Sequence, residues 1–259
     1  MAIPGHVRRF WAAMDALFSD VHPTEWGAVV TDGRFPRVWD ANYARLEISE
    51  AIRVTDVEAE LLPRLRASGA DTMHVVSFDH RSHTGLLAEL LTRGHRLSWD
   101  VVMQRHADRP HEPSAVVQEL GTGPELWERV ADSIALFGVD PGEAVEQLRA
   151  IETDVMAPGG KRWFCVRSAE GTIVSLAAVM VLQDVGYIDN VATFPVARGR
   201  GYASALTDHA ARDALAHGAQ HVILLADPDD TSAVGIYRRL GFGEVGRLAS
   251  TRGPLPTRA

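Results

Sequence analysis

The chain has 259 residues, 46% of them hydrophobic and 23% charged. That is enough apolar side chain for one large or two ordinary cores, and it excludes an intrinsically disordered chain. A formal net charge of -8 and a pI near 5.7 exclude a globally basic surface for nucleic acid or an anionic membrane, and suit an amine-bearing substrate.

The single cysteine, Cys165, leaves no intramolecular disulfide and no cysteine zinc cluster, and its place in an apolar strand marks it as a small core residue. Arg8-Arg9 precede an apolar run, but Asp15 and Asp20 interrupt it and no small-residue cleavage site follows. No uninterrupted apolar run reaches roughly 18 residues. The expectation is a cytoplasmic protein without a membrane span.

In chain order, Phe10, Met14, Leu17 and Phe18 recur at helical spacing and predict an amphipathic first helix. Residues 26–31 read as a strand ended by Asp32-Gly33, and 42–48 as another. A helix over 56–67 contains Pro63 and stops at Ser68-Gly69. A strand over 72–78 follows, then a helix over 82–92 with Leu86, Leu87, Leu90 and Leu91 inward and Gly94 past its end. A strand over 97–105 closes this half. Residues 107–114 carry two prolines and little apolar content, which marks a linker between a domain at 1–106 and one at 115–259.

Beyond the linker, 115–120 reads as a short strand, 124–137 as a helix with proline at its start, and 142–153 as a second helix. Strands at 163–167 and 172–182 are joined by the turn Ala169-Glu170-Gly171. The second is apolar at nearly every position, as a strand buried on both faces should be. A strand over 187–193 then breaks at Pro195 and enters a helix through a glycine-rich turn; Leu206, Ala210, Ala214 and Leu215 form the apolar stripe of that helix. A strand over 220–226, a helix over 232–240 capped by Asp229-Asp230-Thr231 and ended by Gly241, and a strand over 242–248 complete the order. The architecture predicted is α/β with an α+β mixed sheet.

At the 187–206 junction the first helical amides lack intrahelical partners, and glycines permit close approach by an anion, so a phosphate or pyrophosphate is the natural ligand. The run Arg198-x-x-Gly201-x-Ala203 resembles the pyrophosphate loop of the GNAT N-acetyltransferase superfamily. One strand later, Ile236-Tyr237-Arg238-Arg239-Leu240-Gly241-Phe242 resembles its C-terminal helix signature, although Asp230 stands where the family more often has Asn. The strand and helix order of 115–250 matches that fold.

The resemblance implies acetyl-CoA as cosubstrate and direct transfer of its acetyl group to a small-molecule or peptide primary amine. Main-chain groups of Val191, Ala192 and Thr193 would pair with the pantetheine arm. Arg198, Gly199, Arg200, Gly201, Tyr202, Ala203 and Ser204 would hold the pyrophosphate, chiefly through backbone amides. Tyr237 would protonate the leaving thiolate. Asp189 is the candidate for taking the amine proton. Period-2 alternation puts Asp189 on a face with Tyr187 and Val191 and turns Asn190 away, a facing that a strand bulge would reverse. Glu152 and Asp154 are candidates to line the acceptor pocket, or solvated helix-end charges.

In the front half, residues 86–103 resemble the last helix and strand of a GNAT unit, with Gly94-His95 in place of Gly-Phe and no Arg-x-x-Gly-x-Gly loop before them. A degenerate GNAT-like domain in tandem with the second is the expectation, with a generic lid as its alternative. His74, His80, His83 and His95 lack a recognised ligand spacing and read as partly exposed histidines rather than a metal site. Trp26, Trp39 and Tyr43 read either as the wall of a substrate cleft or as core. Two rival functions remain. One is a dinucleotide-dependent oxidoreductase, because Gly199 to Ser204 nearly fits Gly-x-Gly-x-x-Gly and Asp227 follows at a strand end. The other is a non-catalytic acyl-CoA-binding regulatory module.

Overall fold

A computed structural model of the chain describes residues 2–106, 115–136 and 142–256. The linker predicted at 107–114 lies outside the described residues, as does Phe137, the expected end of one helix. In order, the elements are α1 (Gly5–Asp15), β1 (Asp20–Thr24), β2 (Gly27–Thr31), β3 (Tyr43–Leu46), α2 (Val54–Ser68), β4 (Thr72–Ser77), α3 (Thr84–Thr92) and β5 (Arg96–Arg105). Then come β6 (Gln118–Leu120), α4 (Pro124–Leu136), α5 (Glu143–Ile151), β7 (Arg162–Arg167), β8 (Ile173–Leu182) and β9 (Val185–Thr193). The chain finishes with α6 (Tyr202–Ala216), β10 (His221–Ala226), α7 (Thr231–Arg239) and β11 (Phe242–Pro254). It forms two compact units, Met1–Val101 with Gly246–Ala259, and Val102–Val245.

In the first unit the strands run β1-β2-β3-β4-β11-β5. The β3/β4 pair is parallel, and β1/β2, β2/β3 and β4/β11 are antiparallel. Val57, Leu61 and Leu65 of α2 and Leu86 and Leu90 of α3 form one core with Val29, Leu46, Met73 and Val75. The β2/β3 register depends on Gly27, at φ +148, because a Cβ there would stand 1.9 Å from the Arg45 carbonyl oxygen.

Several sequence expectations need correction in this unit. Leu91 is 44% exposed, since the apolar stripe of α3 is narrower than four leucines. Leu17 and Phe18 lie beyond the end of α1. The strand β1, which contains Pro23, was not foreseen; as an edge strand it tolerates the missing N–H. Of the two readings offered for the aromatics, Trp26 and Tyr43 take the core one, and the Arg252 guanidinium lies 4.4 Å above the Trp39 ring.

The histidines are also more buried than expected. His74, His83 and His95 are all inside, and His80 is half-buried, edge-on to Trp99 at 5.0 Å. His74 bonds the Trp39 carbonyl through Nδ1 at 3.1 Å and Ser250 Oγ through Nε2 at 2.7 Å. His83 Nδ1 meets Ser77 Oγ at 2.7 Å. Among the described residues no three His, Cys, Asp or Glu side chains gather as metal ligands.

In the second unit β5 is followed by β10-β9-β8-β7-β6. The β9/β10 pair is parallel and the pairs from β6 to β9 are antiparallel. The sheet is covered on both faces, as alternation along β7 shows. Trp163 packs with Leu126 and Val130 of α4, whereas its neighbour Phe164 sets its ring 4.7 Å from His209 of α6. The α6 helix approaches β9 closely because both contribute small residues. A Cβ on Gly186 would come within 2.4 Å of the Ala214 Cβ, and Ala205, Ala210, Ala211 and Ala214 are buried. Leu215, expected in that stripe, is instead 47% exposed. The strand over 173–180 is buried at every position, as predicted for a strand covered on both faces. The last strand runs to Pro254, beyond the expected end at 248.

Candidate active site

The site is built where β9 outruns its parallel neighbour. The β9/β10 register ends at Leu224↔Ile188, while β9 continues through residues 189–193 beside β8. A ligand reaches strands at their carboxyl ends in such sheets. Residues 189–193 keep their β8 side occupied: Ser175 Oγ donates to the Ala192 carbonyl at 2.8 Å and lies 2.8 Å from Thr193 Oγ1.

A bulge interrupts β9 just past its last pair with β10. Asp189 pairs with Ala178 and Ala192 with Leu176, so Asn190 and Val191 face the single residue Ala177. Asn190 takes φ +51, a left-handed conformation that Asn tolerates better than most residues. Simple alternation therefore fails here. Asn190 was expected to point away from Asp189, yet both side chains reach one cluster.

That cluster centres on Lys161, which is buried at the start of β7. Its Nζ donates to Glu152 Oε1 at 2.7 Å and to Asp189 Oδ2 at 2.8 Å. Asn190 Nδ2 donates to the same Glu152 oxygen at 3.4 Å. Glu152 opens a π-helical turn, Glu152–Met156, that follows α5, an irregularity often found at functional sites. The chain then passes Gly160 at φ +97, and the Lys161 amide donates to the Met156 carbonyl at 2.9 Å, which delivers the lysine beneath the turn. Burial alone would pull Lys161 down, but Asp189 and Glu152 outweigh it and the ammonium is pushed up to about 12. Burial raises the Glu152 carboxyl; Lys161 opposes that and the Asp189 charge adds to it. Asp154, the other acidic candidate, is exposed and accepts from Thr153 Oγ1 at 2.6 Å.

Tyr237 lies on α7, whose start is capped by Asp230 accepting the Ala233 amide at 2.9 Å. The helix ends at Gly241, at φ +90, and this turn brings Phe242 back to 6.2 Å from the Tyr237 ring. Tyr237 is buried. Burial first, then the Asp230 and Asp189 charges, push its phenol up to about 12. It therefore holds its proton at neutral pH, within electrostatic reach of Asp189.

Between β9 and α6 the chain makes a 3-10 turn, Pro195–Ala197, and Arg198 folds back so that its Nε donates to the Thr193 carbonyl at 3.1 Å. Gly199 and Gly201 take φ +76 and +79, and Gly201 is the residue preceding α6. Residues 198–201 are exposed. A Cβ on Gly199 would meet no atom within 4 Å, so the loop faces open space. The first amides of α6 lie at its mouth, without intrahelical partners. This loop suits an anionic group held by main-chain N–H donors.

The model of the acetyltransferase (GNAT) family matches residues 127–242, the span that holds this whole arrangement. N-alpha-acetyltransferase 30 of Schizosaccharomyces pombe is 32% identical over 114 residues, 38% of this chain and 76% of the relative. The chain belongs to the GNAT acetyltransferase family. This GNAT chain also shares its fold with solved structures of low identity. A GCN5-related N-acetyltransferase from Kribbella flavida superposes with a TM-score of 0.68 at 19% identity, covering 99% of this chain and 97% of that one. A tandem GNAT protein from the clavulanic acid biosynthesis pathway superposes with a TM-score of 0.55 at 15% identity, covering 79% and 70%. The oxidoreductase alternative falls away, because the Gly199–Ser204 run lies within the span that the GNAT model matches.

The fold brings Tyr237, Asp189 and Glu152 into one region and sets the 198–204 loop at the end of the strand that carries Asp189. Lys161 was missed. No sequence signal singles it out, since Arg162 abuts it and a lysine at a strand start is ordinarily solvated.

Proposed function

We propose that this GNAT chain moves the acetyl group of acetyl-CoA to a primary amine, with the unit Val102–Val245 as its catalytic half and the unit of Met1–Val101 and Gly246–Ala259, which takes the last strand from the expected 115–259 half, as a degenerate GNAT-like partner. The observation that carries this reading is a buried Tyr237 that keeps its proton and lies within electrostatic reach of the Asp189 carboxylate, at the bulge where β9 runs past β10. Acetyl-CoA, when bound, supplies the activated acetyl thioester.

The residues present fit that cosubstrate. The 199–204 loop offers open space and unpaired helix-start amides for the pyrophosphate, and Arg198 is engaged in holding the loop to Thr193. Val191, Ala192 and Thr193 offer strand-type main-chain groups on their β10 side, beyond the last β9/β10 pair, for the pantetheine arm. As the amine nitrogen bonds to the acetyl carbon and the carbon–sulfur bond breaks, Asp189 takes the proton that the amine loses. Tyr237 gives its phenolic proton to the departing sulfur, and the phenolate regains one from solvent. The name of the fission-yeast relative, an N-alpha-acetyltransferase, supports a peptide α-amine as well as a small-molecule amine among the acceptors to test.

Acetyl-CoA should raise the melting temperature and NADH should not. An amine panel that includes short peptides should then show acetyl-CoA-dependent thiol release. Binding without release from any amine would favour the non-catalytic acyl-CoA-binding module.

A further inference from the structure

Three charged groups meet at the bulge where catalysis at Asp189 calls for one. Lys161 Nζ is within hydrogen-bond distance of oxygens from two different carboxylates, Asp189 Oδ2 and Glu152 Oε1. Its side chain is 3% exposed, and its ammonium lies 5.1 Å from the centre of the Trp163 ring. Asn190, displaced by the bulge, donates to the Glu152 oxygen at 3.4 Å, and its amide donates to Asp189 Oδ1 at 2.8 Å. Asp189 is thus held from both oxygens, by Lys161 on one and by the Asn190 amide on the other. The phenol of Tyr237 on α7 feels the charges of both Asp230, the cap of that helix, and Asp189. Arg162, next to Lys161, is engaged elsewhere, with Asp213 of α6.

One oxygen of each carboxylate reaches the same ammonium, and the Glu152 side chain is 12% exposed and that of Asp189 34%; without the cation between them, the two negative charges favour uptake of one proton by the pair. We infer that Lys161 is the positioning residue of this site: by bridging Glu152 and Asp189 it keeps the Asp189 carboxylate proton-free and aimed at the acceptor side. The inference rests on the proposed role of Asp189 and adds a residue that acts only through it. The Lys161 side chain is 3% exposed and its ammonium is engaged by the two carboxylates, so it acts through them. Its work is to keep Glu152 from sharing a proton with Asp189.

The test reads protons directly. Carboxyl carbon-13 signals of Asp189 and Glu152, assigned by their loss in Asp189→Asn and Glu152→Gln, are compared at pH 7 in the full chain. The Lys161→Met variant should carry one more proton on the pair than the native chain. Adding Glu152→Gln to Lys161→Met should remove that proton and return Asp189 to the carboxylate form. Lys161→Arg, which keeps the cation, should match the native signals and covers the case in which the methionine variant fails to fold. An unchanged proton count in Lys161→Met, a proton that persists in the double variant, or a protonated pair in Lys161→Arg would each overturn the inference. Failure of the underlying reading looks different: Asp189→Asn would keep native acetyl transfer, whatever the Lys161 variants show.

Discussion

Two strand-to-helix junctions in this molecule are built on the same plan and finished in opposite ways. In the first unit, the chain leaves β4, turns through residues 78–83 and enters α3. That turn is closed by its own side chains: Asp79 accepts from the Ser82 hydroxyl at 3.1 Å, Thr84 Oγ1 donates to the Arg81 carbonyl at 2.9 Å, and His83 is tied back to Ser77. In the second unit, the chain leaves β9 and enters α6 through Gly199 and Gly201, which place no side chain in the opening. The same contrast holds for buried charge. Asp15 of the first unit is surrounded by Arg45 Nε at 2.8 Å and Tyr43 Oη at 2.6 Å, with Glu47 on the far side of the arginine. Asp189 of the second unit is held by Lys161 on one oxygen and by the Asn190 backbone amide on the other, yet its side chain is 34% exposed and lies past the last β9/β10 pair. A charge enclosed by protein partners is committed to the fold, whereas one left partly open is accessible to a ligand.

Four measurements would break or sharpen this contrast. The largest effect belongs to Tyr237→Phe, which should lower kcat by about 10²- to 10⁴-fold while leaving acetyl-CoA affinity nearly native; steady-state kinetics paired with calorimetric titration separate the two. Undiminished turnover would assign the thiolate proton to another donor. Arg45→Met should cost about 3–5 kcal/mol in urea unfolding, because it strands the Asp15 carboxylate in the interior. The kcat of the molecules that remain folded should be unchanged.

His74 comes next. Burial first, opposed by its bond to the Trp39 carbonyl and helped by Arg252, lowers it to about 4. The fold favours the neutral ring, so this contribution is complete above pH ~6.5 and is lost as the pH falls through 4. It amounts to ~3 kcal/mol. The fall in unfolding free energy between pH 7 and pH 4 should be correspondingly smaller in His74→Gln, and an equal slope in both chains would assign the acid sensitivity to other groups. The smallest effect is Gly201→Val. A β-branched residue forced to φ near +79 carries a strain of about 1–3 kcal/mol, and its side chain stands at the loop mouth. Acetyl-CoA should bind about 10- to 100-fold more weakly, and the strain should lower the melting temperature of the ligand-free protein by roughly 2–10 °C; native affinity would move the pyrophosphate to another part of the chain.

Much of this was legible in the residues. The helix and strand order of the second unit follows from local periodicity, and the Asp230 cap and the Gly241 stop are short-range chemistry that the structure reproduces. The glycine-rich turn was recognisable because left-handed backbone has few sequence solutions. The misses have equally physical causes. Leu91 and Leu215 are as apolar as their buried neighbours, and only packing decides where an apolar stripe ends. His74, His83 and His95 looked like surface histidines because their partners, Ser250 for His74 and Ser77 for His83, are set by strand pairing and a turn. The bulge at Asn190 defeated alternation because one extra residue shifts everything after it.

By itself, then, the sequence determined the glycine-rich loop proposed for the cosubstrate, the tyrosine that follows it by one strand and one helix, and the family to which both belong. All of these depend on residues close together in the chain, where spacing carries the information. Only the tertiary structure brought Glu152 and Lys161 to the Asp189 carboxylate named from the sequence. Lys161, Glu152 and Asp189 come from three separate elements, and their meeting depends on a π-helical turn, a bulge and the β7-β8-β9 pairing together. A buried ammonium between two carboxylates is defined by its neighbours, and those neighbours are chosen by the fold.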